Sequence, residues 1–166
     1  AGADFATLTN RWTIVYPPDV KHAGLYAERF AQAVFRHWGV KLRAAPDEGA
    51  GVDPNEPHVL LKVQPEHGLR AESHHIRVLP GRIEITAVDG AGLLRGLQWI
   101  QHQMMQNRGP CVAVGSTQRR TKIELRYVYS YFGVFGDPLT EPELDPYPDE
   151  LLEALSELGI NGVWLH

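Results

Sequence analysis

Residues 82 to 104 read Arg-Ile-Glu-Ile-Thr-Ala-Val-Asp-Gly-Ala-Gly-Leu-Leu-Arg-Gly-Leu-Gln-Trp-Ile-Gln-His-Gln-Met, and two periodicities meet inside them. From Arg82 to Ala87 apolar and polar residues alternate, so Ile83, Ile85 and Ala87 share one side of a strand and Arg82, Glu84 and Thr86 the other. After Asp89, a natural N-cap, the period lengthens. Leu93, Leu97, Ile100 and Met104 follow the i, i+4, i+7, i+11 spacing of one buried helix side. Gly96 costs this helix about 1 kcal/mol in propensity, so a close approach of helix to sheet is expected there. A half-wet strand running into an amphipathic helix describes a helix laid on one face of a sheet.

Upstream, Ile76 and Val78 followed by Pro80-Gly81 make the first arm of a hairpin whose second arm is Arg82 to Ala87. His58-Val59-Leu60-Leu61-Lys62-Val63 reads as a buried strand. Trp12-Thr13-Ile14-Val15-Tyr16 reads as another, stopped by Pro17-Pro18. Between them, Tyr26, Phe30, Val34 and Trp38 recur every fourth residue from His22 to Trp38, with Gly39 placed to end the helix. Val40 to Leu42 can start a short strand, and Ala44 to Pro57, rich in Pro, Gly, Asp and Glu, is expected as an exposed loop. Downstream, Asn107-Arg108-Gly109-Pro110 ends the second helix and Cys111 to Gly115 adds a short strand. The order predicts an α+β fold: a mixed or mainly antiparallel sheet with two helices on one face.

The last third differs. Ile123 to Phe132 is a strand candidate, Gly133 to Tyr147 is rich in Gly, Pro and acids, and a helix opens at Pro148 with Asp149 and Glu150 in its first turn. Leu151, Leu152, Leu155 and Leu158 give that helix an expected buried stripe, Gly159 ends it, and Asn161 to His166 is a closing strand. Strand, helix and strand at this spacing make one βαβ unit with parallel strands. Parallel strands are covered on both faces in complete folds, and one unit is too little to do so. Thr117 to Lys122 reads as a polar linker, so the expected domains are residues 1–118 and an incomplete second one over 119–166.

With 166 residues, 43% hydrophobic and 22% charged, the chain falls in the range of soluble globular proteins and is too short for a whole (β/α)₈ barrel of roughly 250 residues. Sixteen Lys and Arg against twenty Asp and Glu, scattered along the chain, give no nucleic-acid footprint. No apolar stretch is long enough for a membrane span. The single cysteine, Cys111, excludes an internal disulfide framework and a Cys-based zinc site. The compartment is not readable, and a secreted or periplasmic protein whose leader has been removed fits this composition.

Asp89 to Gly96 holds Gly-x-Gly-x-x-x-Gly between strand and helix, one residue longer than a dinucleotide fingerprint and after a half-polar strand. Turn formation and tight packing explain these glycines better than a cofactor, and none is expected. Eight histidines show no metal-ligand spacing, and no metal is expected. His74 and His75 are adjacent on a strand and so point to opposite faces. Gly115-Ser116-Thr117 lacks the nucleophile elbow of the α/β-hydrolases. Tyr127, Tyr129 and Tyr131 share one strand face, and the long connection after them lies where α/β folds place substrate sites. Rings beside Arg126 and Asp137 would suit a sugar.

The stretch from Arg82 to Met104, with the strand at Trp12 and the hairpin at Ile76, resembles the small α+β domain that precedes the barrel in family 20 glycoside hydrolases, the β-N-acetylhexosaminidases. Similar domains precede the barrels of α-glucuronidases and related glycosidases. The tail resembles the start of the catalytic (β/α)₈ barrel. Arg126 sits where the family carries a sugar-binding arginine on the first barrel strand, and Leu158-Gly-Ile-Asn-Gly-Val-Trp-Leu-His166 is similar to the second strand with its Asn-x-x-x-x-His pattern.

The resemblance implies a carbohydrate substrate for a longer parent enzyme in which the substrate's acetamido oxygen attacks the anomeric carbon, oriented by an Asp beside a general-acid Glu. Those two residues belong to a later barrel strand, so no catalytic residue is expected in this chain and it should be inactive alone. Weak substrate-binding candidates are Arg126, Tyr131, Asp137 and His166. Asp137, Glu141, Glu143 and Asp145 otherwise read as solvated loop acids. A self-contained module that binds carbohydrate or protein without catalysis is the alternative. Val163, Trp164 and Leu165 lack barrel neighbours, so the tail is expected to be mobile or to pair with another copy of the chain.

Overall fold

The structure, a computed structural model, describes residues 4–49, 53, 55–65, 70–129 and 145–164. It divides into two compact units, Ala1–Thr121 and Lys122–His166.

In the first unit the elements are β1 (Phe5–Thr7), β2 (Thr13–Tyr16), α1 (Ala23–Trp38), β3 (Arg43–Pro46), β4 (His58–Val63), β5 (His74–Leu79), β6 (Arg82–Ala87), α2 (Gly90–Gln106), β7 (Cys111–Ala113) and β8 (Gly115–Arg119). Six of these strands form one sheet in the order β3-β2-β4-β6-β5-β8. The pairs β2–β3, β2–β4 and β4–β6 are parallel, while β5 pairs antiparallel with both β6 and β8. The sheet is therefore mixed, and the parallel half outweighs the mainly antiparallel character expected for it. Its cause is the connection through α1, which returns the chain to run beside β2 in the same direction. β1 and β7 form a separate antiparallel ladder.

The register sorts residues by face. Ile14 lies opposite Val59 and Val59 opposite Ile83; Leu61 lies opposite Ile85 and Ile85 opposite Ile76. These side chains form the core with Ala27, Phe30 and Val34 of α1 and Leu93, Leu97, Ile100 and Met104 of α2, all buried. Each buried aliphatic side chain contributes roughly 1.5–3 kcal/mol against exposure, so this helix-covered face holds the domain together. The opposite face carries His75, Arg77, Arg82, Glu84 and Thr86 and is wet over its β5–β6 part.

Both helices end as their sequences require. Gly39 adopts a left-handed conformation (φ 71°) and returns its N–H to the Phe35 carbonyl at 2.8 Å. Asp89 caps α2, its carboxylate accepting the Gly92 N–H at 2.7 Å. The same carboxylate accepts the Glu72 N–H at 3.1 Å, which ties the start of α2 to the entry of β5. The glycines of this turn are required for packing. A Cβ at Gly96 would lie 2.4 Å from Ile85 Cγ2, and one at Gly92 would lie 2.9 Å from the Ser73 carbonyl oxygen.

Two readings of the sequence shift here. The strand expected at Val40 to Leu42 forms at Arg43–Pro46, inside the stretch read as loop, because its partner β2 supplies the ladder. Residues 115–119, partly assigned to a linker, are the edge strand β8. A polar strand is acceptable there because one edge and one face meet water.

The second unit contains β9 (Tyr127–Tyr129), a helix α3 (Asp149–Glu157) and β10 (Gly162–Trp164). β9 and β10 are parallel, with Tyr127 opposite Gly162, Val128 opposite Val163 and Tyr129 opposite Trp164. No residue of α3 is buried: Leu151, Leu152 and Leu158 are 40%, 37% and 80% exposed and Leu155 is half-buried, so the expected leucine stripe is not covered. Two strands within the unit are too narrow to cover it.

Candidate functional site

The second unit places its polar side chains at the two ends of the parallel strand pair. Before the strands begin, the Arg126 N–H donates to the Asn161 side-chain oxygen at 2.9 Å, and the Asn161 N–H donates to the Arg126 carbonyl at 2.9 Å. Asn161 Nδ2 donates to the Glu124 carbonyl at 2.7 Å. The guanidinium of Arg126 donates through Nε to the Gly159 carbonyl and through Nη1 to that of Ile123, both at 2.6 Å. Arg126 and Asn161 thus clasp the approach to β9 to the turn between α3 and β10. This clasp lies at the N-terminal ends of the strands.

At the C-terminal ends stands Tyr147, a buried residue for which the sequence offered no signal beyond its place between two prolines. Its hydroxyl donates to the Trp164 carbonyl at 2.8 Å and lies 3.5 Å from that of Val128. Asp145 accepts the Tyr147 N–H at 2.9 Å, a local turn that fixes the segment entering α3. Among the described residues, Asp145 is the one loop carboxylate of the four singled out in the sequence, and its partner is backbone. Tyr131, Asp137 and His166, with Glu141 and Glu143, lie outside the described residues.

Tyr127, Tyr129 and Trp164 share one face of the β9–β10 ribbon and are 49%, 65% and 53% exposed. The Tyr127 and Trp164 rings lie 6.1 Å apart between centroids, tilted by 35°. Such a face can stack against the C–H side of a sugar or against another apolar surface. β10 has one strand neighbour, β9, among the described residues.

In the first unit, the entry of β5 holds a polar cluster that the sequence reading passed over. Glu72 and His74 are buried, and Arg95 of α2 reaches Glu72 at 3.5 Å. His74 Nδ1 donates to the Glu72 carbonyl at 2.9 Å. Burial holds the His74 imidazole below its usual basicity, with the Arg119 and Arg95 charges acting in the same direction and Glu72 against it. Among the described residues no group of three or more His, Cys, Asp or Glu is placed to hold a metal ion, and no helix is long and apolar enough to cross a membrane.

No protein-family model matches the chain, and no curated protein matches it. Solved structures do. A GH20 β-N-acetylhexosaminidase from Streptomyces coelicolor A3(2) superposes with a TM-score of 0.73 at 18% identity, over 99% of this chain and 32% of that one. A Flavobacterium johnsoniae chitobiase matches at 0.66 and 18%, over 98% and 24% of the two chains. A GH138 enzyme targeting pectin rhamnogalacturonan II matches at 0.71 and 16%, over 93% and 24%. The chain therefore has the fold of a GH20-like N-terminal region and spans about a third of the length of the GH20 enzyme from S. coelicolor.

Proposed function

We propose that this chain is the N-terminal part of a glycoside hydrolase of the β-N-acetylhexosaminidase type, an accessory α+β domain followed by the first βαβ unit of a (β/α)₈ catalytic barrel. The observation that carries this reading is the order of the two units. A mixed sheet under two helices, then a parallel β9–α3–β10 unit, is matched along 99% of the chain by 32% of a hexosaminidase. The match to a GH138 enzyme ties the fold to carbohydrate-active enzymes and leaves the sugar open.

In this reading the reaction occurs at the C-terminal ends of the barrel strands. Tyr131 and Asp137 follow β9 in sequence and His166 follows β10, which supports them as sugar contacts at that end. Arg126 precedes β9, and its hydrogen bonds to Gly159 and Ile123 support a part in holding the first two barrel strands in register. The acid pair that orients and protonates the substrate belongs to a later strand, so the 166-residue chain alone does not hydrolyse glycosides. Incubation with chromogenic N-acetyl-β-hexosaminide and glucuronide substrates should release no chromophore above the buffer rate. Turnover abolished by Asp145→Asn or Glu141→Gln would overturn the proposal.

The exposed ring face of Tyr127, Tyr129 and Trp164 supports a second reading, a module that holds glycan or protein without chemistry.

A further inference from the structure

Strand register gathers on the wet face of the first unit's sheet charges that the sequence scatters. Strands β4, β6, β5 and β8 contain Lys62, Arg77, Arg82 and Arg119 against a single acid, Glu84, in a chain whose formal charge is −4. Lys62 lies opposite Thr86, Thr86 opposite His75 and His75 opposite Gln118, which makes one row across the four strands. In the next row Glu84 lies opposite Arg77 and Arg77 opposite Ser116. Both rows alternate along their strands with Leu61, Ile85 and Ile76 of the core, so they face away from the helices.

The charges on this face do not balance. Glu84 is ion-paired with Arg82, two residues before it on β6. Lys62 and Arg77 are exposed, and neither has an ion-pair partner among the described residues. Arg119 belongs to the other face, its guanidinium 5.4 Å from the centre of the Trp99 ring. Both free cations stand in register with residues of a groove of about 710 Å³, Lys62 with Thr86 and Arg77 with Ser116. Gln64, His75 and Gln118 also line it, and the Ser116 hydroxyl lies 2.6 Å from His75 Nε2. Such hydroxyls and amides both donate and accept, as the hydroxyls of a sugar require. Lys62 and Arg77 are on strands two spacings apart, about 10 Å, so a ligand with acids repeated along its length can meet both at once.

We propose that this face is a non-catalytic binding surface for an acidic oligosaccharide with carboxylates on successive rings. Lys62 and Arg77 meet the carboxylates, and Thr86, Ser116 and Gln118 meet the hydroxyls. That the ligand is a sugar rests on the chain's reading as part of a carbohydrate-active enzyme; that it is an anion rests on the register of this sheet alone.

The test is a titration of the full ¹⁵N-labelled chain with trigalacturonate at low salt, followed by amide shifts, beside the neutral trisaccharide maltotriose and the peptide hexaglutamate. The expected result is saturable shifts at Lys62, His75, Arg77, Thr86 and Gln118 that weaken severalfold as NaCl rises from about 20 to about 200 mM. An exposed ion pair is worth up to about fivefold in affinity, so Lys62→Gln with Arg77→Gln should weaken binding about tenfold. Removal of the same charge elsewhere, by Lys21→Gln with Arg36→Gln, should change it less than about twofold. All four positions are exposed, so an unchanged spread of the remaining amide signals reports an intact fold. Absence of saturable shifts would overturn the proposal, as would shifts confined to Tyr127, Tyr129 and Trp164, maltotriose binding as tightly, or equal losses in the two double variants. Hexaglutamate binding as tightly would overturn the sugar and assign the face to an acidic protein. Hydrolysis is measured separately, so failure here leaves the glycosidase reading standing, and failure of that reading would not move these shifts.

Discussion

His74 and His75 are neighbours on β5 and meet opposite surroundings: His74 is 8% exposed on the helix-covered side and His75 faces water. The alternation of a strand was enough to foresee this separation. What each ring would meet was not legible, because Glu72, Arg95 and Arg119 come to His74 from three different segments. Burial, the largest influence, lowers the folded-state basicity of His74 below the unfolded value of about 6.5, and both arginines add to it. The unfolded chain then takes up the proton first as pH falls. The contribution of neutral His74 is therefore fully present above pH about 6.5 and declines as pH drops below it. Between pH 7.5 and pH 5.5 the melting temperature of the parent should fall further than that of His74→Asn, with the other titrating groups cancelling in the comparison. Equal falls in the two proteins would contradict this.

Helix α2 and strand β6 were the most legible elements, since period, N-cap and glycine spacing agreed on one arrangement. Gly96 carries the closest contact between them. Alanine there would gain about 1 kcal/mol in helix propensity, yet its Cβ would stand 2.4 Å from Ile85 Cγ2, well inside contact distance. Overpacking of this kind costs roughly 1–3 kcal/mol, so Gly96→Ala should lower stability despite the better helix former. Combined with Ile85→Ala, which removes the clashing methyl, the alanine should cost less than it does alone. Denaturant unfolding of the four proteins measures this, and additive losses would refute the contact.

Less legible elements owe their structure to partners. Arg43–Pro46 has one-sided, weak strand character, and β2 beside it makes it a strand. Gly115–Arg119 is polar because it is an edge, so its composition resembled a linker. The opposite error concerns α3. Its leucine period was read correctly as a helix, but burial of the stripe depends on what lies against it, which a period does not specify.

For the whole molecule, the sequence pointed to an α+β domain followed by a βαβ unit, and the solved structures share that fold over nearly the full chain. The candidate site was less legible than the fold. Of the four residues named for it, Arg126 is engaged with backbone carbonyls at the N-terminal strand ends, and Tyr131, Asp137 and His166 lie outside the described residues. The row of Thr86, His75 and Gln118 on the first sheet left no motif, since strand register assembles it from residues dispersed between positions 75 and 118. An active site built from successive barrel strands is dispersed in the same way. In the proposed reading, the identity of the parent turns on the strands that would complete its barrel.

Reading the encoding gene beyond the His166 codon tests this account most directly. It should continue in frame with alternating strand and helix patterns, including an adjacent Asp-Glu pair at the end of a later strand. The longer product should hydrolyse an N-acetyl-β-hexosaminide that the 166-residue chain leaves untouched. A stop codon directly after His166, or a continuation without βα repeats, would contradict it.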